Sequence, residues 1–347
     1  MKRISYFVML KNKQLIESRR WYVDEINMLR ELYSDVQVST SINEIPKNSS
    51  VYISWWAQTS LFSVITAKIA RKKSIVIAGG SEVSRKVESG GYSSRNVLKR
   101  MLIQFSLRLA DRIVAVSEYN KKEILDILNG KYEKKIDVLY HCVSDDYFKL
   151  ELKTEFKTDK YLLMICGFSQ SNFKRKCVYE MIEAVLRIKK VIPDIKLVIA
   201  GTCEDVELKE QIQKYIYENN AEKNLIIKND VSESEKLQLL NSAYYYVQPT
   251  YHEQFGVAIA EAMACGCPVI STAVAAVPEV VADTGILLSN NNIEEIEKVI
   301  TILYGDEELR NELALKARER AKNNFTYVAK KNALYMIIEK CDSKCAE

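Results

Sequence analysis

Twelve short apolar runs, separated by helical patterns along almost the whole chain, limit what it can fold into. The front half carries "ISYFVML", "DVQVST", "SVYIS", "SIVIAGG", "RIVAVS" and "KIDVLY". The back half repeats the theme with "YLLMICG", "IKLVIAG", "NLIIKND", "AYYYVQP", "CPVIST" and "GILLS". Runs that are apolar on both faces and alternate with helices are parallel strands covered on both sides. "LIESRRWYVDEINMLREL" and "SRNVLKRMLIQFSLRLAD" are examples of the intervening helices. Two such series in 347 residues predict an α/β protein of two Rossmann-like, doubly wound domains. The charged, unpatterned "KLELKTEFKTDK" (149–160) is the expected linker, giving domains of 1–152 and 153–325.

Helix starts support this register. Ser117 is placed to cap "EYNKKEILDIL", and Ser232 with Glu235 forms a capping box before "KLQLL". Strand "YLLMICG" ends in Gly167 and "IKLVIAG" in Gly201. Open α/β sheets bind ligands beyond the carboxyl ends of their strands, so these glycines are expected to line a central cleft.

Composition excludes several classes. The opening "MKRISYFVML" runs straight into "KNKQ", too short for a leader's apolar region, and reads as a first strand. No stretch approaches the roughly 18–20 apolar residues of a membrane span. The eight cysteines fall at no zinc spacing (Cys265 and Cys267 form C-x-C, and Cys341 and Cys345 lie four apart), and there are two histidines. The expectation is reduced thiols, no metal and a cytoplasmic location. Net charge is +4, but residues 1–150 hold 25 Lys/Arg against 16 Asp/Glu, a net of +9, which leaves −5 for the rest. A basic front half points to an anionic partner or to solvated helix faces. Nucleic acid is not expected, because aromatic-interleaved strands and a basic recognition helix are missing from the pattern.

The densest motif is "HEQFGVAIAEAMACGCPVIST" (252–272). After "AYYYVQP" a loop leads to a helix that starts near Gly256 and stops at Gly266. A helix N-terminus attracts phosphate, and a glycine there lets a diphosphate approach the backbone. Glu261 lies five residues beyond Gly256, about 7.5 Å along the axis. That is the reach from a diphosphate to the ribose of the same nucleotide, whose paired hydroxyls suit a carboxylate. Glu253 falls on the other side, where a transferable group would lie. The spacing suits a nucleotide diphosphate sugar, one carboxylate for each end.

This stretch resembles the E-x₇-E signature of the retaining glycosyltransferases of family four, whose fold is GT-B. The E-x-F-G element reads "EQFG", and the following run reads "EAMACGCPVI". "ADRIVAVSEYNKKEIL", "KKIDVLYHCVSDDYF", "DIKLVIAG" and "AVPEVVADTGILL" resemble further elements of the family, so the likeness runs from about residue 70 to 345. It implies a transferase that moves a sugar from a nucleotide diphosphate sugar to a glycan or lipid-linked acceptor with retention, in cell-envelope polysaccharide or glycoconjugate synthesis. No cofactor beyond the donor is implied. The final segment, 326–347, would be a helix that crosses back to the first domain.

On the family's pattern Glu253 contacts donor-sugar hydroxyls, with Phe255, Gly256 and Val257 beside sugar and diphosphate. Glu261 binds the ribose, and the strand-end glycines Gly167 and Gly201 belong to the donor site. A Lys/Arg pair normally neutralises the leaving diphosphate. Here "CGFSQSNFKRKC" supplies Lys176 at the lysine position, but Phe168 replaces the usual arginine, and Arg175 is taken as the second cation. Cys177 stands where the family has glycine. In the front half "AGGSEV" and "HCVSD" replace the usual H-G-S-D and N-G-V-D elements, leaving Gly80, Ser81, Glu82 and His141 as acceptor-side candidates.

Several alternatives stay open. The missing arginine fits a catalytically silent GT-B partner subunit as well as an enzyme. "FKRK" is a phosphate site or a solvated charge run, and His141 packs or faces the cleft. Trp55 and Trp56 stack on an acceptor or fill the core. The helix bearing Arg95, Lys99, Arg100, Arg108 and Arg112 turns its apolar stripe to the core or to an anionic membrane surface, which would make the protein peripheral at the inner face.

Overall fold

The computed structural model describes residues 2–17, 19–85, 91–152 and 160–342. Its strands are β1 (Arg3–Phe7), β2 (Asp35–Ser39), β3 (Val51–Trp55), β4 (Lys73–Ile77), β5 (Arg112–Ala115), β6 (Ile136–Val138), β7 (Leu162–Ile165), β8 (Leu197–Gly201), β9 (Leu225–Asn229), β10 (Tyr245–Gln248), β11 (Val269–Thr272) and β12 (Ile286–Leu288). The helices before the second sheet are α1 (Gln14–Glu17), α2 (Arg20–Leu32), α3 (Ala57–Ile69), α4 (Val97–Leu109), α5 (Glu118–Ile127) and α6 (Asp146–Lys149). Those that follow are α7 (Gln170–Arg175), α8 (Val178–Ile188), α9 (Val206–Glu218), α10 (Glu233–Ser242), α11 (Val257–Ala264), α12 (Val277–Val281), α13 (Ile293–Leu303), α14 (Glu307–Asn324) and α15 (Tyr327–Asp342). All twelve apolar runs are strands.

The chain divides into two compact units: Met1–Cys142 with Tyr327–Glu347, and Val143–Thr326. Each holds one six-stranded sheet, ordered β2-β1-β3-β4-β5-β6 in the first and β12-β11-β10-β7-β8-β9 in the second. Every neighbouring pair is parallel. Central strands are buried along their whole length, as in β3, β8, β10 and β11, which is why their sequences carry no polar alternation. Ser117 and Ser232 cap α5 and α10, and Glu235 closes the capping box by accepting from the Ser232 N–H at 2.7 Å.

Two expectations change. The helix read across 15–32 is two helices, because Arg19 is extended (φ −125°, ψ 97°) and α2 starts afresh after it. The passage from first to second unit falls at 142/143, ahead of the 149–160 segment, of which 153–159 lie outside the described residues. Residues 143–152 join the second unit through backbone. The Val143 N–H donates to the Phe325 carbonyl at 2.8 Å. Arg318 on α14 donates to the carbonyls of Phe148 and Leu150 at 2.5 and 2.6 Å. Backbone acceptors leave no mark in a side-chain pattern.

Helix α15 belongs to the first unit. Its buried Lys330 donates to Glu25 on α2 at 2.7 Å, and Tyr6 and Trp55 donate to the same carboxylate at 2.9 and 2.6 Å. Cys345 lies outside the described residues.

Candidate active site

In the second sheet the strand order reverses between β7 and β10, which makes their carboxyl ends the switch point where doubly wound sheets take their ligands. Two loops meet there. After β7 the short α7 delivers Arg175 and Lys176; after β10 comes the loop with Glu253. Backbone contacts join them, since the Tyr251 N–H and the Thr250 hydroxyl both donate to the Arg175 carbonyl, at 2.8 and 2.9 Å.

The side chains form one network. Arg175 Nη1 donates to Glu253 Oε1 at 2.5 Å, and Gln248 Nε2 donates to the same oxygen at 3.0 Å. Lys176 Nζ donates to the Ile165 carbonyl at 2.9 Å and to Gln248 Oε1 at 3.1 Å. The Tyr246 hydroxyl reaches that Gln248 oxygen at 2.5 Å. Burial would raise the Glu253 carboxyl, but Arg175 and then Lys176 outweigh it and hold the group below its usual range. Burial lowers the Lys176 ammonium despite the opposing pull of Glu253. The ensemble is a charged, oriented carboxylate beside two cations, able to grip hydroxyls on one side and a diphosphate on the other.

Eight residues on, Glu261 lies in α11 and meets a second group of charges. Lys236 on α10 bonds Glu261 Oε1 and Glu233 Oε2, both at 3.0 Å. The Tyr147 hydroxyl donates to Glu233 at 3.2 Å, and the Lys236 ammonium lies 5.7 Å from the Tyr147 ring centroid. Burial raises the Glu261 carboxyl, with Lys236 opposing. Lys236 itself is raised, because its two carboxylates outweigh its burial. Gln248, Tyr246, Lys236 and Tyr147 were absent from the expected set. Gln248 and Tyr246 sit in a strand that reads as pure core, and only the neighbouring "QP" hinted at a strand end.

The remaining donor candidates sort by geometry. Gly256 has φ +94°, so glycine suits this N-cap of α11. A Cβ on Gly201 would come within 2.0 Å of the Cys166 carbonyl, so strand packing alone requires glycine there. Gly167 is looser, its nearest neighbour being Asn172 Nδ2 at 3.2 Å. Phe255 is buried edge-on against Phe325, with centroids 5.3 Å apart, so its side chain serves the core and only its backbone borders the loop. Val257, the first residue of α11, is half-buried. Phe168 is fully buried against Phe173 and offers no charge. Cys177 is left-handed (φ +54°), which is the physical reason a glycine suits that position.

In the first unit the switch point lies between β1 and β3, and it is aromatic. Trp21, Tyr22, Trp55, Trp56 and His141 gather there, with His141 stacked 6.2 Å from Trp55. Trp55 is core, 2% exposed, its Nε1 bound to Glu25; this corrects the option that it stacks on an acceptor. Trp56 is half-buried, held at φ +69° with its Nε1 on the Tyr22 hydroxyl at 2.6 Å. Gly80 fits beneath it, since a Cβ there would come within 2.0 Å of the Trp56 ring. Ser81 and Glu82 form the turn after Gly80. Glu82 is buried, and neither oxygen has a hydrogen-bond partner among the described residues, although the amides of Gly80 and Ala57 lie near. Burial lifts its carboxyl to about 7 and pushes His141 well below the usual histidine range, keeping it neutral. Among the described residues no group of three or more His, Cys, Asp and Glu is placed to hold a metal.

Two doubly wound parallel sheets, one with a charged switch point, define the GT-B class of glycosyltransferase folds. Residues 149–320, nearly all of the second unit, match the family described as glycosyl transferases group 1, and this segment belongs to it. Over 234 residues the chain is 29% identical to N-acetyl-alpha-D-glucosaminyl L-malate synthase of Bacillus anthracis, covering 65% of this chain and 58% of that protein. It is 26% identical to the capsular polysaccharide biosynthesis glycosyltransferase CapM of Staphylococcus aureus, covering 65% and 60%. The matches thus span less than two thirds of either relative. Among solved structures, Anabaena HepE in complex with UDP and glucose has a TM-score of 0.79 at 13% identity, covering 98% of this chain and 100% of that one. A glycosyltransferase of Rickettsia africae has 0.78 at 17%, covering 99% of both. At these identities the likeness concerns fold.

Proposed function

We propose that the protein transfers a sugar from a nucleotide diphosphate sugar to a glycan or lipid-linked acceptor in cell-envelope polysaccharide or glycoconjugate synthesis, with retention of anomeric configuration. The observation that carries this is the Arg175–Glu253–Gln248–Lys176 network at the switch point of the second sheet. Glu253 would hold the sugar hydroxyls, Arg175 and Lys176 the diphosphate, and Glu261 the ribose. The sugar–phosphate C–O bond breaks with its electron pair leaving on the diphosphate, while an acceptor hydroxyl forms the new C–O bond and gives up its proton to an oxygen of the departing diphosphate. Two cations beside the departing charge lower that barrier electrostatically. The reading calls for no cofactor beyond the donor, and Gly80, Ser81, Glu82 and His141 are its acceptor-side residues. It places the protein in the cytoplasm, in peripheral contact with the inner face of the membrane, on an anionic acceptor suited to the basic front half.

The relatives' names support it, one being a capsular polysaccharide glycosyltransferase. Thermal shift against a panel of nucleotide diphosphate sugars tests donor binding, because a ligand at a hundred times its Kd adds about 2.7 kcal/mol of apparent stability. Release of the nucleotide diphosphate, alone and with acceptor, tests turnover, and NMR of the first product tests retention. The second reading, a silent partner subunit, is favoured by the buried Phe168 where a cation is usual. Donor binding without any nucleotide diphosphate release would establish it.

A further inference from the structure

Helices α3 and α4 of the first unit pack side by side, and Ala57, Val64, Ile103 and Leu107 point from them into one core. Their opposite faces are apolar as well. Phe62, Ile65 and Ile69 recur at helical spacing on α3, with Ile69 81% exposed. Leu98, Met101, Phe105 and Leu109 do so on α4, with Leu98 65% exposed. A solvated helix turns a polar face outward, and scattered apolar side chains are ordinary, but two adjoining stripes are not. Neither helix contains an Asp or Glu; their charges are Lys68, Lys99, Arg100 and Arg108, and Arg71, Lys72 and Lys73 follow α3 directly. Asp111, just beyond α4, is already held by Lys68 and Lys73.

We propose that this two-helix face docks the protein on an anionic lipid bilayer. The apolar stripes would enter the boundary between headgroups and acyl chains, and the basic residues would meet acidic headgroups. The charge pattern selects this occupant. A second copy on the same face would set Lys and Arg against Lys and Arg with no acid on either helix to answer them. Among the described residues no helix is long and apolar enough to cross a membrane, so the contact is peripheral. The inference rests on the transferase reading for its purpose, access to a lipid-linked acceptor, and on these two helices for its physics.

The test is co-sedimentation of the whole chain with phosphatidylcholine vesicles, with and without phosphatidylglycerol, across a salt series. Binding should require phosphatidylglycerol and weaken as salt rises. Leu98→Gln with Phe105→Gln should weaken it at least about tenfold. Arg100→Gln and Arg108→Gln should each weaken it about fivefold. All four positions are exposed or half-buried, and unchanged melting shows that the fold persists. Lack of vesicle binding, or equal binding by the variants, overturns the proposal. So does a dimer that Leu98→Gln with Phe105→Gln dissolves, which would give the face to a second copy. Nucleotide-sugar binding in the same samples separates the two readings. Donor binding without vesicle binding removes only the docking surface, whereas vesicle binding without donor binding or turnover removes only the transferase.

Discussion

Each unit sets a glutamate against a cation, and the two pairs differ in what surrounds them. In the first, Glu25 and Lys330 have side chains 2% and 3% exposed, and Tyr6 and Trp55 supply the carboxylate's remaining donors. In the second, Glu253 and Arg175 are 14% and 32% exposed, and the carboxylate is shared with Gln248. A saturated, dry pair can only hold structure. A pair open to solvent can exchange its partner for a ligand's hydroxyls or phosphates, because water and ligand can replace each lost bond. Under the proposed function the same chemistry serves cohesion in one sheet and recognition in the other.

The comparison is broken most directly at Lys330. Lys330→Met leaves Glu25 charged, buried and without its cation, and should cost about 3–5 kcal/mol in denaturant titration. Hydrogen exchange should locate that loss in the first unit, with nucleotide diphosphate affinity per folded molecule unchanged. Loss of affinity instead would deny the division of labour.

A slightly smaller effect sharpens the contrast through pH. Glu82 titrates near 7 in the folded protein, against 4.5 ordinarily. The folded state therefore holds this proton more tightly, and the penalty for a charged Glu82 is nil below about pH 4.5 and complete above about 7. Glu82→Gln should gain stability over the wild type as pH rises across that window, by roughly 3 kcal/mol in all. Glu253 runs the other way. Its depressed pKa contributes stability that is present at neutral pH and lost as acid protonates it, so Glu253→Gln and the wild type should converge at low pH. Melting curves at pH 5 and 8 check the sign for Glu82, and curves at about pH 6 and about pH 3, on either side of the ordinary carboxylate range, check it for Glu253.

Third come the two carboxylates proposed to hold the donor. Glu261→Gln should raise KM and weaken bare nucleotide diphosphate binding ten- to a hundredfold, as expected for a charged hydrogen bond of about 1.5–3 kcal/mol. Glu253→Gln should leave that binding nearly intact and lower kcat. Calorimetry with kinetics separates them, and equal losses of nucleotide affinity would deny that each carboxylate takes one end of the donor. Smallest are the helix caps: Ser117→Ala and Ser232→Ala should each cost about 1 kcal/mol, in their own unit, by thermal melting.

Strands and caps were legible because each depends on neighbours in sequence: β-branched runs buried on both faces, and a serine three residues before a bonded amide. Glu253, Glu261 and Lys176 were legible as a spaced motif. Gln248 and Lys236 were not, since their parts depend on strand register and on which carboxylate lies within reach of a long side chain. The aromatic cluster was equally hidden, its members coming from residues 21–22, 55–56 and 141. Gly201 was read as a ligand position, yet the Cys166 carbonyl is sufficient reason for it. The break at Arg19 turns on one backbone conformation that an arginine does not announce.

The return of α15 to the first unit reverses the order in which the chain can be completed. Synthesis delivers Glu25 305 residues before Lys330. Val143–Thr326 is one continuous stretch and can close its sheet as it leaves the ribosome. The first unit must wait for Tyr327–Asp342, and until that helix emerges Glu25 has, among the described residues, the Tyr6 and Trp55 donors but not the Lys330 cation. Of the two units, the one whose synthesis starts earlier is therefore the one that finishes folding later.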